Sequence, residues 1–455
     1  MRVATAPPGP KGKPFVGHLF AFRRDPTGFL LGLARDYGDI VYFKFGPWHA
    51  FLLNNPSEIE AVLVTHHDQF VKGRGLVRAK GLLGEGLLTS EGTFHRRQRQ
   101  LVQPAFHRQQ VTTYAEVMTR CTAHLLERWQ DGATMDIAKE MRHLTLAIAG
   151  QALFHADLEP EVEEINEALT SFMDAWYTLM LPFSELLERL PLPSTRRFQA
   201  ARTRLNATVS GLVRKRQTQH HEGADALSLL LEARDSCGSE YRLTDRQVHD
   251  EVMTLLLAGH ETTANALSWT WYLLAQHPDV ERVLHTELDT VLAGRPPTVN
   301  DVEHLRYTRM VLAEAMRLYP PAWIIGRQAI RECAIGIYRV PKHAVVFLSP
   351  YVTQRDPRYF PDPDRFDPQR WTPDAQAARP RFSYFPFGGG PRQCLGEPFA
   401  WMEGIVVIAT VAQRWRMRLI PGHPVTPHPR LTLRPKDGIG VILEHRKPTS
   451  AHSCQ

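Results

Sequence analysis

The stretch "FPFGGGPRQCLGEPFA", residues 385–400, places one thiol, Cys394, behind three glycines and two residues after Arg392. Beyond it, "LGEPFAWMEGIVVIATVAQRW" spaces apolar residues at helical intervals, so Cys394 is expected near a helix amino end. Free N–H groups and the helix dipole favour thiolate over thiol there. Glycines open backbone conformations closed to other residues and let a loop approach a flat ligand, with Phe385 and Phe387 packing nearby. Such a thiolate suits an axial ligand of haem iron; a buried structural cysteine is the other reading the stretch allows.

Three further constellations carry chemistry. "AGHETT", Ala258–Thr263, sets Glu261 and adjacent hydroxyls inside an apolar helical stretch, where a charge is costly unless paired or hydrated. Ala258 and Gly259 keep the helix surface low enough for a plate-like cofactor, and a Thr262 hydroxyl bonded back to a carbonyl opens the groove for water. Glu314 and Arg317, three apart in "LAEAMRLYPP", share a helical face and can pair. In "FHRRQRQLVQPAF", His95 and Arg99 are four apart on one face, whereas Arg96 and Arg97 turn away towards solvent or a redox protein.

These groups need elements to hold them. "DIVYFKFGPWHAFLL", residues 39–53, alternates around Gly46-Pro47 and predicts a β-hairpin. From there to about residue 320 the spacing is mostly helical, including "EVMTRCTAHLLERW" and "PEVEEINEALTSFMDAWYTLML". The clearest helix starts at a capping box, Thr244 to Gln247, and should run until just before Pro278. Val252, Met253, Leu255, Leu256 and Leu257 surround its first half with apolar groups and predict burial. After Pro320-Pro321 the texture becomes β-like, with strands expected near 322–352 and 420–445. The chain carries no Gly/Ser linker and no repeat, so residues 1–455 are read as one domain.

Phe387-x-x-Gly390-x-Arg392-x-Cys394-x-Gly396 resembles the haem-binding signature of the cytochrome P-450 family, the haem-thiolate monooxygenases. The other three constellations follow in that family's order. The resemblance implies a triangular fold, mainly α with a small β-rich region, enclosing haem b between the long helix and the cysteine loop. It implies Cys394 as the iron ligand, Phe387, Gly396 and Ala258 against the haem, and Glu261 and Thr262 relaying protons during dioxygen activation. His95, Arg99, Arg327 and Arg392 align with partners of the haem propionates. Glu314 and Arg317 would lock to Arg370 of "FDPQRW" as a structural triad, although Gln369 and Trp371 stand where the family more usually has Glu and Phe. By analogy the substrate pocket takes Leu76, Leu82 and Leu83, Leu255 of the long helix, Ala322, Trp323 and Ile324, and Leu431; their apolar character points to a fatty acid, terpenoid or steroid-like molecule. A peroxide-driven enzyme, a haem isomerase or a haem sensor would share the thiolate loop, but the Glu261-Thr262 pair argues for dioxygen activation.

Composition bounds the rest. The chain has 455 residues, 43% of them apolar, and a net charge of +6, enough for a large core with a basic balance. Its arginines are dispersed with no nucleic-acid motif, so the charge reads as ordinary surface or as a face for an acidic partner. Cys121, Cys237, Cys333, Cys394 and Cys454 are widely spaced without a C-x-x-C pair, which disfavours a disulfide framework and suits a reducing compartment. No run of about 18 apolar residues and no signal-like amino terminus is present, so a soluble, cytoplasmic, monomeric protein without a membrane anchor is expected. No fused flavin or iron-sulfur domain is expected, and electrons would come from a ferredoxin or flavodoxin-type donor with its reductase.

Overall fold

The computed structural model describes residues 7–179, 193–218, 225–235 and 242–446. Cys237, Cys454 and the last residues of the helical stretch expected at 160–181 lie outside them. A helix of 32 residues, Asp245–Gln276, runs through the centre, about 48 Å long at 1.5 Å per residue. Its start is the expected capping box: the Thr244 hydroxyl accepts from Gln247 N, and the Gln247 side chain accepts from Thr244 N. Helix Ile137–Phe154 packs along it, and the Thr145 hydroxyl donates to His260 O at 3.1 Å, clamping the two helices beside the "AGHETT" motif. Further on, Trp269 is buried, stacks on Tyr319 at 4.1 Å and donates from its indole to Leu433 O.

The β-rich part is small, as expected, but not confined to the predicted segments. The hairpin forms as Ile40–Phe45 and Trp48–Leu53 around Gly46-Pro47. It extends into a five-stranded sheet through Val345–Leu348, Ile325–Ala329 and Phe70–Lys72. A three-stranded sheet joins Thr134–Asp136, Gly440–His445 and Trp415–Leu419. Three-residue strands such as Phe70–Lys72 are too short to show alternation, which is why sequence reading missed them. The register of that short strand sets Lys72 directly across from Arg327, two cations side by side on buried backbone.

Helix Pro278–Leu292 ties the three-stranded sheet to the helical core. Its Glu281 takes ion pairs from Arg416 and Arg418, and its Asp289 pairs with Arg446. His285 lies buried within this cluster, and burial, then Arg446 and Arg416, push its pKa down to about 3. The unfolded chain takes up this proton near pH 6.5, so the neutral imidazole's contribution is present above pH 6.5 and is lost as pH falls towards 3. Thermal midpoints across that window should fall less steeply for His285→Gln than for the native chain; identical slopes would contradict this.

Candidate active site

A cavity of about 480 Å³ lies between the central helix and the cysteine loop. Ala258, Gly259, Glu261 and Thr262 line it from the helix, and Phe387, Arg392, Cys394 and Gly396 from the loop. All eight substrate-pocket candidates also line it. The sequence-read residues therefore converge on one space, apart from Glu314, Arg317 and Arg370, which sit behind the loop.

The loop is held by its own backbone. Cys394 N donates to Phe387 O at 2.9 Å, and Gln393 N to Gly390 O at 3.0 Å. Gly388 and Gly390 take positive φ, +71° and +67°. Of the three glycines expected to admit a flat ligand, Gly388 lines the cavity, whereas Gly389 and Gly390 do not. A Cβ on Gly390 would lie 2.0 Å from Leu63 O, and one on Gly389 would lie 2.5 Å from the Phe382 ring. It is packing of loop against protein that demands glycine there.

Cys394 turns its sulfur into the cavity at the start of helix Glu397–Ala412. Enclosure by the protein pushes the thiol up to about 11, against the N–H groups of Gly396 and Glu397, which favour its ionised form. The helix end alone therefore does not ionise this sulfur; a bound metal would, since a coordinating thiol is deprotonated outright.

On the central helix the Thr262 hydroxyl donates to Ala258 O at 2.9 Å, the expected back-bond. Glu261 is buried. Its Oε1 accepts from Asn265 Nδ2 and the Thr432 hydroxyl, each at 3.1 Å, and faces Arg434 Nε at 3.3 Å, while Oε2 has no partner among the described residues. Burial opposes its charge, but Arg434, His260 and Asn265 together hold the carboxyl below its ordinary range.

The cavity also has a cationic wall. Lys72, His95, Arg99, Arg327 and Arg392 all line it. Arg99 donates to Gln393 O at 2.7 Å, Arg392 pairs with Glu91, and Lys72 Nζ donates to Leu87 O and Ser90 O. Arg327 has no ion pair among the described residues, only a bond to its neighbour's carbonyl, Gly326 O. Burial and mutual repulsion push Lys72 to about 7, His95 to about 3 and Arg327 to about 10. Like charges directly across a ladder are unfavourable, so this wall calls for anions beyond Glu91. Lys72 was missed in the sequence because only the strand register sets it against Arg327. Arg96 is exposed as expected, whereas Arg97 is partly buried.

The triad assembles. Arg317 Nε and Nη2 hold Glu314 at 2.8 and 2.9 Å with both side chains fully buried. Arg370 Nε lies 3.3 Å from Glu314 Oε1, out of line for a hydrogen bond, and its Nη2 donates to Asp362 O. Trp371, read only as a departure from the usual phenylalanine, donates its indole N–H to Glu314 Oε2 at 2.9 Å.

Cys394 and the Ala258–Thr262 step thus share one largely apolar cavity that the five basic side chains of its cationic wall also line. A cytochrome P-450 family model matches residues 7–443. Cyclooctatin synthase of Streptomyces melanosporofaciens is 41% identical over 93% of this chain and 92% of its own, and pentalenene oxygenase of Streptomyces avermitilis is 35% identical over 94% and 96%. The solved structure of retinoic acid bound cyanobacterial CYP120A1 superposes with a TM-score of 0.86 at 28% identity, covering 97% of this chain and 99% of that one. The chain belongs to the cytochrome P-450 family and is a monooxygenase. That family binds haem through a cysteine thiolate and uses redox partners and dioxygen. The residues fit such a group: the sulfur is aimed into the cavity, and the desolvated cations lack the two carboxylates that haem carries. No helix among the described residues is long and apolar enough to cross a membrane.

Proposed function

We propose that this chain is a haem b monooxygenase of a terpenoid substrate, supplied with electrons in the cytoplasm by a separate ferredoxin or flavodoxin. The observation that carries the reading is the cavity, in which Cys394 and the Ala258–Thr262 step share one space with leucine, tryptophan and isoleucine walls. Haem, when bound, supplies the metal at which dioxygen is reduced and one oxygen atom is passed to a C–H bond. Cys394 would hold it; Arg327, Arg392, Arg99, His95 and Lys72 would take its carboxylates. Phe387 and Gly396 would border it from the loop side, and Ala258 would leave it room at the helix.

The chain's own contribution to proton delivery lies at two atoms. Thr262 Oγ1, bonded to Ala258 O, is the hydroxyl that faces the cavity from the helix groove. Glu261 Oε2, buried without a partner among the described residues, is the carboxylate oxygen placed to take a proton from water and pass it on; Arg434, Asn265 and Thr432 anchor the other oxygen. Thr262→Ala should therefore keep substrate affinity while product formed per reductant consumed falls by about tenfold or more. Unchanged coupling would remove Thr262 from the relay.

The terpenoid assignment draws on the apolar lining and on relatives named for cyclooctatin and pentalenene. It is tested by following the spectral change that accompanies substrate entry across cyclic terpenoids, fatty acids and steroids. Terpenoids should bind about tenfold tighter than the others, or about 1.4 kcal/mol. Preference for a fatty acid or steroid would overturn the assignment.

A further inference from the structure

A two-stranded hairpin late in the chain touches both the cavity and the buried acid beside it. Strands Pro427–Pro429 and Leu433–Pro435 pair antiparallel, with His428 across from Arg434. The three residues between the strands, Arg430, Leu431 and Thr432, line the cavity. The Thr432 hydroxyl donates to Glu261 Oε1 at 3.1 Å, and Arg434, two residues on, sets its Nε 3.3 Å from the same oxygen. The other bond to that oxygen comes from Asn265, one turn along Glu261's own helix, and Asn265 also donates to the Thr432 hydroxyl at 3.3 Å. Among the described residues, every hydrogen bond or ion pair that reaches the Glu261 carboxyl from outside its helix therefore comes from this hairpin.

The hairpin is pinned on either side of its tip. Leu433 N donates to Pro321 O and Leu433 O accepts from the Trp269 indole, both at 2.9 Å, while Trp323 donates to Arg430 O at 2.8 Å. Both tryptophans are buried. A push on Leu431 is thus not absorbed by a loose loop and passes to its neighbour Thr432. The contacts on Glu261 have little slack, since a retreat of about 0.5 Å takes a 3.1 Å bond out of hydrogen-bond range. Thr262, by contrast, bonds within its own helix to Ala258 O and gains nothing from the hairpin. Charge adds to geometry: burial works against an ionised Glu261, and Arg434 is the foremost group opposing it, ahead of His260 on the same helix, Asn265, and Arg142 of helix Ile137–Phe154.

We propose that this hairpin ties the proton relay to an occupied cavity: Leu431 meets the substrate, and Thr432 and Arg434 are positioning residues that hold Glu261 Oε1 so that Oε2 stays in place to relay. A substrate that seats badly against Leu431 lets the hairpin shift and weakens the hold on the acid, so reductant is spent without product. The inference rests on the Glu261–Thr262 relay and not on the terpenoid reading.

The test is product formed per reductant consumed, measured in the full-length holoenzyme with a ferredoxin and its reductase. The probe is whichever cyclic terpenoid, fatty acid or steroid binds tightest in the spectral titrations. Arg434→Gln should lower this ratio about tenfold while the carbon monoxide spectrum stays native. It should also move the acid limb of the ratio's pH profile up by about one unit or more, because loss of the cation raises the carboxyl. Arg434→Lys keeps the charge and should leave the limb in place, a rescue that a merely structural role would not predict. Leu431→Ala should lower the ratio by itself and add almost nothing in the Arg434→Gln background, because both act through Glu261. An unmoved acid limb in Arg434→Gln, or additive losses in the double variant, overturns the proposal. Where Arg434→Gln fails to hold haem, Thr432→Val, matched in shape, carries the test, and a native ratio there overturns the proposal equally. Glu261→Gln in the same assay separates the hairpin from the relay: a ratio lost in Glu261→Gln but kept in Arg434→Gln leaves the relay standing and removes the hairpin, whereas a ratio kept in Glu261→Gln removes both.

Discussion

Cys394→Ala is expected to abolish turnover, and with it the red-shifted absorption band of the reduced carbon monoxide complex, while the protein stays folded. The fold should survive because the loop is shaped by Phe387 O, by Gly388 and Gly390 at positive φ and by packing on Leu63, none of which involves the sulfur. The chemistry should not survive, because among the described residues the cavity offers no other cysteine. Enclosure pushes the thiol up, whereas a coordinating thiol is deprotonated outright, so coordination favours the ionised sulfur. A variant that kept the shifted band would show that the ligand lies elsewhere.

Arg317→Ala should cost about 3–5 kcal/mol, the usual result of stranding a fully buried charge. Glu314 would lose both hydrogen bonds from Arg317, keeping only the more distant Arg370 as a cation, and the carbonyls of Gln354, Pro363 and Arg365 would lose their donor. The damage has a route to the active site. Gln354 donates to Met316 O and Arg317 O, and its Oε1 accepts from Phe385 N at the start of the cysteine segment. Arg317→Lys should fail too, since an ammonium cannot reproduce the planar fork that serves Glu314 and three carbonyls together. Thermal denaturation and haem retention check this; a native midpoint in Arg317→Ala would contradict it.

What could be read from sequence was whatever short-range chemistry decides. Thr244 and Gln247 are three residues apart, so the capping box placed the central helix to within a residue. The cysteine loop, Thr262 with its back-bond and the Glu314–Arg317 pair are local in the same sense. Groups brought together by register or by distant chain could not be read. Lys72 meets Arg327 across a three-residue strand, and Glu261 finds Arg434 and Thr432 from about 170 residues away. Gly389 and Gly390 were legible as a signal but not as a cause, because Leu63 and Phe382 arrive from elsewhere in the fold.

Monooxygenation itself is decided by turnover of a cyclic terpenoid under isotopically labelled dioxygen, with a ferredoxin, its reductase and reductant supplied. One labelled oxygen atom in the product, and none when the label is in water instead, is the predicted result. A product oxygen drawn from water, or a product without new oxygen, would contradict it.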